Sequence, residues 1–361
     1  MTDPLALAAV VPADVTLLPL AGVLDALSLP LQVTLDTLGD FLDPSTLFSV
    51  LLNGLSKASL YIMIASGLTL IFGLMGVLNF AHGSLTMMGA YLGGLILVLL
   101  VSQDTGPLTR LAYFFVGLLA VFAALAALGG AIEVGLIRRL YDRPPLYQIL
   151  LTFGLTLMLD ELVRIVVSFY GLQPISDWQD ALATKPALLS QNVALGPVSV
   201  PGLRLFEILF GVFTVAGIWA FLTRTRYGLY IRAGSEDAEM TEALGIDVRR
   251  VFTVVFALGA GLAGAAGVLL MWDPTWGASV PLASETLLPA FVVVIIGGLG
   301  TFRGTVVAGL IVGLTDATMT WWFQNAIEFT GLPQMTVFLI LVVMLVVRPQ
   351  GLFGVEEVGG H

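Results

Sequence analysis

Between Leu47 and Val347, apolar runs follow one another with little interruption, at about 47–78, 84–101, 111–137, 146–170, 205–223, 251–272, 285–300, 304–320 and 333–347. Several reach the roughly 20 residues that a helix needs to cross a bilayer. Hydrocarbon offers no hydrogen-bond partners, so the backbone of such runs must satisfy itself as helix. The fold class is therefore all-α, a polytopic membrane bundle of about eight to ten transmembrane helices. The run 47–78 is too long for one straight crossing. It is expected either to tilt or to form one full and one half helix, broken near Gly67 or Gly73. Charged residues make up only 11% of the chain, under half of the roughly 25% of a globular domain.

Composition also excludes functions. A formal charge of -10 without any basic stripe argues against nucleic acid as a partner, and the apolar runs make membrane lipid the surrounding medium. The absence of cysteine excludes disulfides and thiolate chemistry, and His82 and His361 alone make a histidine metal cluster unexpected. No P-loop, H-E-x-x-H or G-x-S-x-G motif occurs, so neither a cofactor nor enzyme activity is expected of this chain.

The first 45 residues hold Asp3, Asp14, Asp25, Asp36, Asp40 and Asp43 but no Lys or Arg. A secretory signal needs a basic start, so this stretch reads as a surface or interfacial extension, with an extra span as the alternative. The membrane-embedded body is expected over 46–350 and a tail over 351–361. Basic residues cluster at Arg138, Arg139 and Arg143, again from Arg224 to Arg250, and at Arg348. Positive residues favour the cytoplasmic side, which puts these loops, the turn at Arg303 and the C-terminus inside. The segment 171–204, with Asp177 and Asp180, and the loop 273–284 then lie outside.

Polar residues inside apolar runs are costly and must face protein or a cavity. In Gly67–Gly94 these are Asn79, His82 and Ser84. Asn79 and His82 either line a solute path or cap a broken helix, and both roles can coexist at a half-helix end. Gly297, Gly298 and Gly300 interrupt a later run beside Thr301 and Arg303; they mark either a moving gate or close packing. Glu133, Asp160, Glu161, Arg164 and Asp316 are the remaining ionisable residues near span interiors. Arg164 can pair with Asp160 or Glu161 on one helix face. Trp272, Trp276, Trp321 and Trp322 fall near outer span ends, as an aromatic belt does.

The loop 224–250 is the most polar part of the body. Residues 236–244 read as a short helix with acids in its first turns and Gly245 as its stop. Such a helix lying under the bilayer is either a lever for a soluble partner or a solvated loop.

The run RAGSEDAEMTEALGIDV in that loop resembles the coupling segment by which ABC importer permeases dock on their ATPases. It is most similar to the version in the branched-chain amino-acid permeases, the LivH type. GLTLIFGLMGVLNFAHG, GGLGTFRGTVVAGLIVGL and the terminal VVRPQGLFG resemble further signatures of that family, in the same order, so the resemblance covers about 50–354. Many members carry an acid directly after the AHG; here Ser84 stands there. The resemblance implies a permease in the bacterial inner membrane with two ATP-binding subunits, a second permease subunit and a periplasmic solute-binding protein. ATP would be bound by the partners. It also implies ATPase coupling through Arg232, Glu236, Asp237, Glu239, Glu242, Ala243 and Gly245, and a substrate path past Asn79, His82, Ser84, Gly297, Gly298 and Gly300. The rival readings are other cargo (urea, short amides or aromatic acids) and a stand-alone ion-coupled carrier.

Overall fold

The structure is a computed structural model and describes residues 37–102, 104–170, 186–196, 198–273, 276–327 and 333–354. Residues 1–36 of the acidic extension, 171–185 of the expected outer segment and 355–361 of the tail lie outside the described residues. The helices are α1 (Pro44–Met75), α2 (His82–Leu100), α3 (Pro107–Gly135), α4 (Pro145–Phe169), α5 (Gly202–Arg224), α6 (Arg226–Glu236), α7 (Ala238–Ala243), α8 (Val248–Trp272), α9 (Leu282–Gly297), α10 (Phe302–Trp322) and α11 (Pro333–Val347). A 3-10 turn, Ile137–Leu140, follows α3, and one helical turn, Ala187–Ser190, precedes an antiparallel hairpin. The hairpin pairs β1 (Asn192–Leu195) with β2 (Val198–Pro201), a local departure from the all-α expectation within the polar segment.

Among the described residues, six helical segments are long and apolar enough to cross a bilayer: α1, α2, α3 with its 3-10 extension, α5, α8, and α10 with the residues that continue it. The other apolar runs also fold as helices, but α4 carries Asp160, Glu161 and Arg164, while α9 and α11 are only 16 and 15 residues long. At 1.5 Å per residue α9 covers about 24 Å, less than a hydrocarbon core.

The expected break at Gly67 or Gly73 does not occur. The 32-residue α1 is continuous, started by Asp43, whose carboxylate accepts from the Ser45 N–H at 3.1 Å, and by Pro44 in its first turn. Gly67 and Gly73 instead let other backbones approach: a Cβ at 67 would lie 2.8 Å from the Gly259 carbonyl oxygen, and one at 73 would lie 2.8 Å from Gly300 Cα. The chain turns at Gly76, in the left-handed region at φ 64°. It then doubles back, because His82 Nε2 lies 2.9 Å from the carbonyl oxygen of Ile64, well inside α1. So α2 begins beside the middle of α1. The start of α9 meets it there, since a Cβ on Gly83 would fall 2.0 Å from the Ala283 carbonyl oxygen. Two helix starts thus converge within the bundle.

Two helices form its axis. The apolar stretch of α1 is 83% buried and that of α8 78%, against 22% for α5. α1 packs along α10, α8, α5 and α9, and α8 packs along α3 and α2. Small residues set the spacing, as lipid-embedded helices require: a Cβ at Gly89 would stand 2.3 Å from the Gly264 carbonyl oxygen. Trp272 does not belong to an exposed belt. It is 1% exposed and stacks on Phe114 with ring centres 4.3 Å apart. Trp321 and Trp322 remain partly exposed and pack on Phe41.

Candidate functional site

The turn from α1 into α2 builds a polar centre. Asn79 and His82 are both fully buried. The Asn79 Oδ1 accepts from the Ala81 N–H at 3.1 Å, and the His82 N–H donates to the Asn79 carbonyl at 3.3 Å, so Asn79 braces the turn before α2, whose N-cap, Ala81, has no side-chain cap. That role leaves its amide nitrogen free. The Nε2–H of a neutral His82 donates to Ile64, which makes Nδ1 an acceptor, and Nδ1 also has no partner. Ser66 Oγ, on the same stretch of α1, is likewise unpaired. A buried unpaired polar group costs about 1–3 kcal/mol. One donor, one acceptor and one hydroxyl in this stretch thus lack a protein partner.

Ser84, two residues into α2, donates to Asp160 Oδ1 of α4 at 2.7 Å. A carboxylate therefore does stand at this position, delivered by a neighbouring helix instead of by residue 84 itself. Arg164 faces Glu161 at 3.6 Å, and both are largely exposed.

Gly297, Gly298 and Gly300 lie elsewhere. Gly300 touches Gly73, nine residues beyond Ile64 and thus about 13 Å further along α1. The three glycines close a seam. A Cβ at 297 would lie 2.5 Å from Gly304 carbonyl carbon, and one at 298 would lie 2.5 Å from the Gly354 nitrogen. Gly298 and Gly300 have φ of 99° and 80°, which only glycine adopts readily. The terminal motif lies along this seam, with Leu352 N–H donating to Ile296 at 2.8 Å and Phe353 N–H to Gly297 at 3.1 Å. The predicted path residues therefore form two groups.

The polar loop folds as two helices. Glu236 ends α6 and does not begin the short helix expected at 236–244, because Asp237 is extended and caps α7, its Oδ1 accepting from the Met240 N–H at 2.8 Å. α7 ends with Ala243, and Gly245, at φ 84°, turns the chain out of it. Arg232, Glu236, Asp237, Glu239, Glu242, Ala243 and Gly245 are all exposed, with Arg232 on α6 and Gly245 in the exit turn. So are two apolar side chains that composition does not flag, Met240 at 59% and Leu244 at 75%. They stand four apart on one side of the tip, offering an apolar contact among acids. α6 packs on α1 and α8, and α7 touches the start of α8. A cavity of about 430 Å³ between α6 and the glycine seam is lined by Arg232, Ile231, Gly73, Gly300 and Arg303, so the foot and the seam share one space.

The comparisons with known proteins agree on what this architecture is. The family model described as the branched-chain amino acid transport system permease component matches residues 50–348. The chain belongs to that family. It is 30% identical over 317 residues to the high-affinity branched-chain amino acid transport system permease protein BraD of Pseudomonas aeruginosa, covering 85% of this chain and 96% of that protein. It is 28% identical over 314 residues to LivH of Escherichia coli K12, covering 85% and 95%. No solved structure gives a significant match. The chain is thus a multi-pass membrane permease.

Two polar groupings of this permease were not assembled from the sequence. At the arginine-rich end Glu133, fully buried, receives both N–H groups of Arg138 at 3.2 and 2.9 Å, together with the hydroxyls of Thr253 and Tyr141. Burial and the Glu133 carboxylate push the Tyr141 hydroxyl far up, so it stays a donor. At the opposite end Lys57 Nζ lies 3.0 Å from Asp316 Oδ2, which also accepts from Tyr61 at 2.9 Å. The signal for the latter was one lysine inside the run 47–78, since an isolated charge in a span needs a partner.

Proposed function

We propose that this permease carries branched-chain amino acids into the cell as the membrane subunit of an ATP-driven importer. The chain does no chemistry of its own; two partner ATPases hydrolyse the nucleotide, a second permease completes the passage, and a soluble binding protein delivers the solute from outside. The basic loops favour the cytoplasm for the α6–α7 end and for the C-terminus.

The observation that carries this reading is the exposed α7 tip, apolar at Met240 and Leu244, joined directly to α8, one of the two most buried helices. ATP binding draws the partners together and moves α7. Asp247, which caps α8 by accepting from the Arg250 N–H at 3.1 Å, ties that motion to α8. α8 packs on α1 and α2, the helices whose junction holds Asn79 and His82. A shift of α8 against them opens or closes the polar centre, which is sealed in the described arrangement. A two-state exchange of this kind follows nucleotide only if nucleotide binds the two states unequally.

The test is uptake by proteoliposomes holding the complete complex. Leucine should enter only with ATP and binding protein present. Accumulation by this chain alone, driven by an ion gradient, would instead establish the carrier reading.

A further inference from the structure

A second polar space lies at the end of the bundle away from the arginines. It measures about 200 Å³ and is lined by Tyr61 of α1, Trp276, Glu285, Leu288 and Pro289 of α9, Asp316 of α10, and Val337 and Phe338 of α11. Typical ligand pockets run from about 300 to 1,000 Å³, so this one admits only a small solute. Its polar side is built. Asp316 and Tyr61, each 5% exposed, are bonded to one another, and Lys57 pairs with the same carboxylate. Lys57 spends two donors, on Asp316 at 3.0 Å and Thr320 at 3.3 Å, which leaves its third free. Glu285 lines the same space and forms no salt bridge among the described residues. Apart from Ser284, the remaining wall is aliphatic and aromatic.

Maintaining an ion pair there is no gain for stability, because apolar residues of similar size commonly do as well. The helix start of α9 does not explain the site either, as its first N–H groups are already bonded to Ser279, Val280 and Pro281. What the lining side chains match is a molecule with an ammonium group and a short aliphatic chain.

We propose, resting on the amino-acid cargo argued above, that this cavity is a second solute subsite on the outer side. Glu285 and Asp316 receive the solute ammonium, Lys57 holds the Asp316 carboxylate in place from behind the wall, and Leu288, Pro289, Val337 and Phe338 receive the solute side chain. The route inward is marked. A void of about 10 Å³, roughly one water, lies between Lys57, Tyr61, Ile64 and Thr286. Ile64 is the residue whose carbonyl holds His82. The two polar centres are therefore consecutive stations along α1.

The absence of cysteine from the chain makes a direct test available. In the complete complex, built with cysteine-free partners, Leu288→Cys should react with a membrane-impermeant maleimide added outside. Saturating leucine with binding protein should slow that reaction at least fivefold. Glu285→Gln should lower uptake at limiting leucine about tenfold, while the binding protein still stimulates ATP hydrolysis. Wild-type uptake in the same vesicles separates the two claims: without it the cargo assignment fails. With it, unprotected labelling of Leu288→Cys, or undiminished uptake by Glu285→Gln, overturns the subsite.

Discussion

At the scale of single residues, the account turns on polar atoms left open on purpose. Asn79 has two jobs, and they separate experimentally. Asn79→Ala removes a turn hydrogen bond worth about 1 kcal/mol together with the free amide of the polar centre. Leucine uptake should fall about tenfold, as loss of one hydrogen bond to a charged group implies, with complex assembly unchanged by size-exclusion chromatography. Ser84 is more specific still. Its hydroxyl donates to Asp160 at 2.7 Å, so Ser84→Asp sets two carboxylates against each other and should abolish most uptake. Adding Asp160→Asn restores one carboxylate per site and should recover it; a double variant as poor as the single one would deny the exchange. That Asn79 and His82 face protein and not lipid was legible in the sequence, because amides and imidazoles stand out in an apolar run. The Asp160 partnership was not, since it joins residues 76 apart through a helix-packing register that no local pattern encodes.

At the scale of elements, the sequence conveyed where helices lie better than where they begin. The apolar run 47–78 folds as one continuous helix to Met75, its glycines at 67 and 73 serve contacts with Gly259 and Gly300, and the turn falls at Gly76. Glycine in lipid can mean either contact or break, and only the partner helix decides between them. Glu236 shows the same limit: acids in sequence suggested one helix start, whereas the extended Asp237 divides two helices. The joint between α3 and α8 supports a prediction at this level. Arg138 is 30% exposed and Glu133 fully buried, so Arg138→Ala strands a buried carboxylate. The loss should be on the order of 2–3 kcal/mol, below the ~3–5 kcal/mol of a fully buried pair. A thermal melt in detergent should show Arg138→Ala markedly less stable than the Arg138→Met, Glu133→Leu double variant; equal melting of the two would mean that the pair does not matter.

For the whole molecule, the arrangement is a rigid axis of α1 and α8 with two helix starts meeting inside it and a small exposed foot at the arginine-rich end. The foot was visible as the most polar loop, and its resemblance to a coupling segment is what the proposed role rests on. Its apolar tip and its seat on α8 needed the fold. The central claim is that nucleotide energy enters through that tip, and a substitution confined to it tests this most directly. In proteoliposomes with both ATPases, the second permease and the binding protein, ATP-driven leucine uptake should be measured for the Met240→Asp, Leu244→Asp double variant. Both side chains are exposed, so the bundle should fold and insert as before, and uptake should drop below about a tenth of wild type, as the loss of an apolar contact worth a few kcal/mol implies. Uptake at the wild-type rate by correctly inserted protein would contradict the account.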